Sequence, residues 1–142
     1  MYVIIKEKKE FFIMKKQHHE IPDTELEVMN AIWSLPTPTS TGEIKKKLDL
    51  NRPWNLSALQ TLLGRLVERG FLSVEKEKRN KKYTAIVKND EYRVKANHTF
   101  LEKVNGNSVK NFVASLYDGN VLSKEDLKEL EEFINEKLKS DN

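Results

Sequence analysis

Asn55-Leu-Ser-Ala-Leu-Gln-Thr-Leu-Leu-Gly-Arg-Leu-Val-Glu-Arg-Gly70, running on into Phe71-Leu-Ser-Val-Glu-Lys-Glu-Lys-Arg-Asn-Lys-Lys-Tyr-Thr-Ala-Ile-Val87, decides the fold. In the first half Leu59, Leu62, Leu63 and Leu66 recur at i, i+3, i+4 and i+7, the spacing of a helix with one apolar face. Asn55 is a suitable N-cap and Gly70 a suitable stop. Past Gly70 the period changes to strand alternation, with Leu72 and Val74 leading in and Tyr83, Ala85 and Val87 leading out. Lys76 to Lys82 lies between them, so the segment reads as a β-hairpin with a basic, polar tip around Arg79-Asn80.

Upstream, Asp23 after Pro22 signals a helix start, Glu25 and Glu27 suit its positive end, and Leu26, Met29 and Trp33 recur at helical spacing. Pro36 and Pro38 close that helix. Ser40 and Glu43 have capping-box spacing ahead of Ile44 and Leu48, which predicts a short second helix ended by Asn51-Arg52-Pro53. Three short helices followed by a charged hairpin is the order of a winged helix-turn-helix domain. Downstream the helical period returns in Tyr92–Val104, Val109–Tyr117 and Leu122–Leu138, punctuated by Gly106 and Gly119, with Ser123 and Asp126 as a capping pair. The chain therefore reads as mainly α with a small β-hairpin wing. An N-terminal extension is expected over 1–20, a winged-helix DNA-binding domain over 21–89 and a helical dimerisation domain over 90–142. Within the extension, Met14 is an alternative start to Met1, and the adjacent His18 and His19 read as a solvated tail rather than a metal site.

Composition narrows the function. The 142 residues suit one domain or two small ones, and the net charge of +3 matters less than its distribution. Residues 71–90 hold six basic and three acidic side chains, residues 121–142 four basic and seven acidic. Cysteine is absent, which excludes disulfides, thiolate metal sites and cysteine nucleophiles. Charges interrupt the apolar runs Val3–Ile5 and Phe11–Met14, so no signal peptide or membrane span is expected and a cytoplasmic location is the simplest. No nucleotide-binding, hydrolase or metalloprotease spacing occurs, and His98 is the only histidine beyond the tail. Neither an enzyme nor a cofactor is expected.

At 100° per residue, Ser57, Gln60, Thr61 and Gly64 fall opposite the leucines of the third helix, with Arg65 and Ala58 at the margin. Ser, Gln, Thr and Arg hydrogen-bond base edges and phosphates, Ala58 offers a methyl contact, and Gly64 lets a backbone come close. Many solvated helices have polar faces, and many loops are basic. A basic hairpin directly after such a helix is a joint pattern, and it points to double-stranded DNA, with Lys78, Arg79, Asn80, Lys81 and Lys82 on the backbone phosphates. A winged-helix module that binds protein instead is the alternative. In the C-terminal third, Phe100, Leu101, Val104, Val109, Phe112, Val113, Leu116, Leu127, Leu130, Phe133, Ile134 and Leu138 form apolar stripes too extensive for some fifty residues to bury alone. A symmetric homodimer would bury them; folding back onto the winged domain is the other possibility.

The segments Ile21–Trp33, Thr41–Ile44, Trp54 and Thr61–Gly70 resemble the BlaI/MecI/CopY family of penicillinase-type transcriptional repressors. The resemblance covers about 21–138. It implies a homodimeric winged-helix repressor of promoters carrying a short inverted repeat, with its recognition helix at Asn55–Arg69, its wing at Lys76–Lys82 and dimerisation through the C-terminal helices. The chain departs from the family pattern at Asn55, at Ser57-Ala58-Leu59 and at Gln60, which bears on the operator sequence rather than on the docking mode. The copper-responsive branch releases DNA through a cysteine cluster that this chain lacks. In the antibiotic-responsive branch an inducing protease cleaves an Asn-Phe bond. Asn111-Phe112 supplies that dipeptide, although the register of the resemblance puts the family's bond one turn later, at Ser115-Leu116.

Overall fold

The structure, a computed structural model, describes residues 20–140. Apart from Glu20, the expected N-terminal extension, with Met14, His18 and His19, lies outside the described residues. The element order is α1 (Asp23–Trp33), β1 (Thr39–Ser40), α2 (Thr41–Asp49), α3 (Leu56–Glu68), β2 (Leu72–Glu77), β3 (Asn80–Ala85), α4 (Asn89–Asn105), α5 (Val109–Asp118) and α6 (Lys124–Ser140). The strands form one antiparallel sheet in the order β1-β3-β2. The expected mainly α winged helix-turn-helix with a hairpin is present. The strand β1 is not foreshadowed in the sequence, because two residues after Pro38 are too few to show a period.

The chain divides into two compact units, the first ending at Val94 and the second beginning at Lys95. The first is built on the apolar stripes of α1, α2 and α3: Val28, Met29 and Ile32, then Ile44 and Leu48, then Leu59, Leu63 and Leu66, all buried with Phe71, Leu72, Tyr83 and Val87. Burying each large aliphatic side chain is worth about 1.5–3 kcal/mol, so the three leucines of α3 alone fix which way that helix faces. Tyr92, in the first turn of α4, also packs on this core. Its ring lies 5.8 Å from that of Trp33 and 6.4 Å from that of Phe71, and its hydroxyl accepts the Ile21 N–H at 2.9 Å. Burial therefore raises the Tyr92 phenol above its ordinary pKa, opposed by that N–H.

The helix ends show how local sequence sets the elements. Ser40 and Glu43 form the expected capping box, with the Glu43 N–H donating to Ser40 Oγ at 3.1 Å and the Ser40 N–H donating to Glu43 Oε1 at 3.2 Å. Asn55 Oδ1 accepts the Ala58 N–H at 3.0 Å, and Ser123 and Asp126 cap α6 reciprocally at 3.0 Å. At the end of α3, Gly70 has φ 85° and the N–H of Phe71 returns to the Leu66 carbonyl at 2.9 Å. This is a Schellman closure, and it buries Phe71 beside Leu66. The same closure ends α5, but the left-handed position there is Asn120 (φ 60°) rather than Gly119. Asparagine is the residue other than glycine that takes this conformation at least cost.

Glu25 departs from its expected role at a helix end. It is 2% exposed and paired with Arg69 at the end of α3, Oε2 to Nη1, at 2.5 Å. Three, four and seven residues before Val28, Met29 and Ile32, it sits in the buried stripe of α1. Replacing Arg69 by Ala strands a buried carboxylate. Arg69→Ala should lower the unfolding free energy by about 2 kcal/mol in a urea titration, less than for a pair buried on both sides because Arg69 is half exposed. Adding Glu25→Leu to that variant should restore most of the loss, because the orphaned charge is then gone.

Candidate nucleic-acid interface

The turn leading into α3 is braced from three directions. Asp49 Oδ1 accepts the Trp54 N–H at 2.9 Å, Arg52 lies 4.3 Å over the Trp54 ring, and Arg52 Nη2 donates to Glu27 Oε1 at 3.0 Å. The Lys45 ammonium and the Trp54 N–H hold the Asp49 carboxyl below its ordinary pKa, so this brace persists well below neutral pH. Trp54 and Leu59, the residues one before the cap and four into the helix, are both buried in the same cluster, as in a hydrophobic staple. The first turn of α3 is thereby fixed in direction before it meets any partner.

All seven residues expected on the outward side of this helix, Asn55, Ser57, Ala58, Gln60, Thr61, Gly64 and Arg65, are exposed. Two of them are partly occupied within the chain. Asn55 caps the helix, and the Thr61 hydroxyl donates to the Ser57 carbonyl at 3.1 Å, which leaves its oxygen as an acceptor. A Cβ built on Gly64 would meet nothing within 4 Å. Nothing in the fold therefore asks for glycine there, and its absence of side chain is an opening onto solvent.

The hairpin differs in detail from expectation. Its turn is Lys78-Arg79, and Asn80 is already the first residue of β3, paired with Glu77. The strands extend into the basic run because Lys76 pairs with Lys81 and Glu75 with Lys82, keeping the ladder regular to its end. Lys78 takes φ 59°, an uncommon conformation for lysine that a two-residue hairpin demands. Side-chain alternation puts Lys76 and Lys81 on one face and Lys82 on the other, with Glu75. Lys82 also pairs in register with Ser40, and its charge helps lower the Glu43 carboxyl, after the larger effect of Ser40. The basic residues of the hairpin, Lys76, Lys78, Arg79, Lys81 and Lys82, are all exposed.

None of the described residues of α4, α5 or α6 is buried. Of the residues expected to dimerise, Leu101, Phe112, Val113, Leu116, Leu127 and Leu130 are half-buried, and Phe100, Val104, Val109, Phe133, Ile134 and Leu138 are exposed. The Phe100 and Phe112 rings meet edge to face at 6.0 Å. Asn111 and Phe112 lie in the first turn of α5, where the Asn111 N–H donates to Ser108 Oγ at 3.1 Å, and Ser115-Leu116 lies in its middle. Both bonds therefore lie within regular helix. No group of three metal-ligating side chains occurs among the described residues, and no described helix is long and apolar enough to cross a membrane.

A model of the penicillinase repressor family matches residues 21–136. A 16.5 kDa protein from the ptsI 3′ region of Latilactobacillus sakei is 36% identical over 87% of this chain and 84% of its own. The penicillinase repressor of Bacillus licheniformis is 31% identical over 85% of this chain and 94% of its own. The methicillin resistance regulatory protein MecI of Mammaliicoccus sciuri is 27% identical over 87% and 100%.

Because the space at Gly64 is open and α3 is otherwise regular, Gly64→Ala should stabilise the protein by about 0.5–1 kcal/mol, the difference between glycine and alanine inside a helix. Thermal unfolding followed by circular dichroism checks this.

Proposed function

The chain belongs to the penicillinase repressor family, and on that premise we propose that it represses transcription as a homodimer seated on a palindromic operator, excluding polymerase by occupancy. It is a DNA-binding repressor and not an enzyme. Two exposed features, adjacent in the chain, carry the finer reading: the polar side of α3, free of any core duty, and the hairpin that follows it, whose turn and strand ends are basic. Ser57, Gln60, Thr61 and Arg65 supply donors and acceptors for base edges, and Gly64 removes the side chain that would hold the backbone off. Lys76, Lys78, Arg79 and Lys81 supply phosphate contacts. Such a protein works where promoter DNA is, in the cytoplasm.

Dimerisation is supported by what the second unit leaves uncovered. Val104, Val109, Phe133 and Leu138 are each more than half exposed, a costly arrangement in water for helices with such regular apolar stripes. A second copy would cover them. Two linked half-site contacts also multiply, which brings a weak monomeric contact into the range of specific operator binding.

Fluorescence anisotropy with a promoter fragment carrying an inverted repeat, against a scrambled duplex, tests the reading. Affinity should favour the repeat and fall steeply with salt. Arg79→Ala and Lys81→Ala should each weaken binding to every duplex and flatten the salt slope by about one unit, whereas Gln60→Ala should change the preference among sequences. Salt-independent binding, or none, would support a module that reads protein instead. Phe133→Asp should convert the dimer to monomer in sedimentation and reduce operator affinity at least ten-fold while leaving the polar face of α3 intact; undiminished affinity in a proven monomer would exclude the dimeric mode.

A further inference from the structure

Leu56 has no role in the core that explains it. It is the first residue of α3 and 48% exposed, whereas Leu59, Leu63 and Leu66 of the same helix are completely buried. The staple at this helix end is made by Trp54 and Leu59, and the cap by Asn55, so neither device calls on Leu56. About half of its side chain stays open to solvent, and it is not among the residues packed against the core.

Its place on the helix gives it a use. Leu56, Gln60 and Gly64 follow at four-residue steps, which makes them one ridge along an edge of α3, and all three are exposed. The ridge begins with an apolar group, continues with an amide suited to an adenine edge, and ends where the backbone is bare. Among the groups that base pairs present in the major groove, the C5-methyl of thymine is the apolar one. In helix-in-groove docking, base edges are met by the N-terminal residues of the recognition helix, where Leu56 stands.

We infer that Leu56 is a specificity-determining residue that reads the C5-methyl of one thymine in the recognised sequence. This rests on the DNA-reading function proposed above. It separates the base read by Leu56 from that read by Gln60, one turn further along.

The test isolates the methyl group. A duplex is selected from a random pool by the wild-type full-length chain, then resynthesised with each thymine replaced in turn by uracil, which keeps the base pair and removes only the methyl. Wild-type protein should lose about four-fold in affinity at one thymine, the value of burying one methyl group. Leu56→Ala should bind the thymine duplex about that much more weakly and be indifferent to uracil at that position, while Gln60→Ala should remain sensitive to it. A flat uracil scan with wild-type protein overturns the assignment whatever the variants do, as does a uracil penalty of equal size in Leu56→Ala. If no duplex is enriched from the pool at all, the DNA-reading function itself falls and takes this assignment with it. Circular dichroism of Leu56→Ala, expected to match wild type because the position is exposed and alanine favours helix, keeps the comparison one of recognition.

Discussion

The complete burial of Leu59, Leu63 and Leu66 governs what the first unit can do. These side chains leave α3 no rotational freedom, since turning the helix by even one residue's arc would expose a leucine and bury Gln60 or Arg65. The outward face is therefore set by what is inside. The supporting elements serve the same constraint from the two ends. At the start, Trp54 is held by Asp49 and covered by Arg52; at the finish, the Gly70 closure turns the chain straight into β2. Helix and hairpin are thus joined through a single tight turn, and the buried Leu66, Phe71 and Leu72 on either side of it tie both to one core.

Much of this was legible in residues whose local duty and global duty coincide. Asn55, Ser40, Glu43, Ser123 and Asp126 cap helices where their spacing said they would, because capping is decided within four residues of chain. The outward set on α3 was legible for a related reason: an uninterrupted leucine stripe defines its own complement. What was hidden depended on long-range partners. The strand β1 exists because Thr39 and Ser40 pair with Tyr83 and Lys82, more than forty residues away, and two residues carry no period of their own. Glu25 looked like a helix-end carboxylate because the macrodipole argument is local, while its burial depends on Arg69 arriving from α3. Its place in the stripe with Val28, Met29 and Ile32 was the signal that the local argument overrode.

The hairpin shows a subtler limit. The sequence identified a basic segment between two alternating runs, but strand pairing continues through that segment, so the turn is one residue earlier and the lysines are sorted by face. A count of basic residues treats Lys82 like Lys81. The register separates them, putting Lys81 beside Lys76 on one face of the hairpin and Lys82 beside Glu75 on the other. Counting charges does not tell which face of the hairpin each lysine lies on; the register does.

A chain of nearly balanced charge, 25 basic against 22 acidic residues, can still suit an anionic partner. Attraction over the Debye length of about 8 Å at physiological salt depends on the charges facing the partner, not on the sum over the molecule. Acidic residues concentrate instead on α6, where Glu125, Asp126, Glu129, Glu131, Glu132 and Glu136 alternate with the apolar stripe of Leu127, Leu130, Phe133, Ile134 and Leu138. With Lys124, Lys128, Lys137 and Lys139 on the same helix, α6 is left with a modest net negative charge. Both units carry charges of both signs, so it is the local basic excess at the hairpin tip that accompanies the hydrogen-bonding capacity of the polar face of α3, and it is there that base identity would be read.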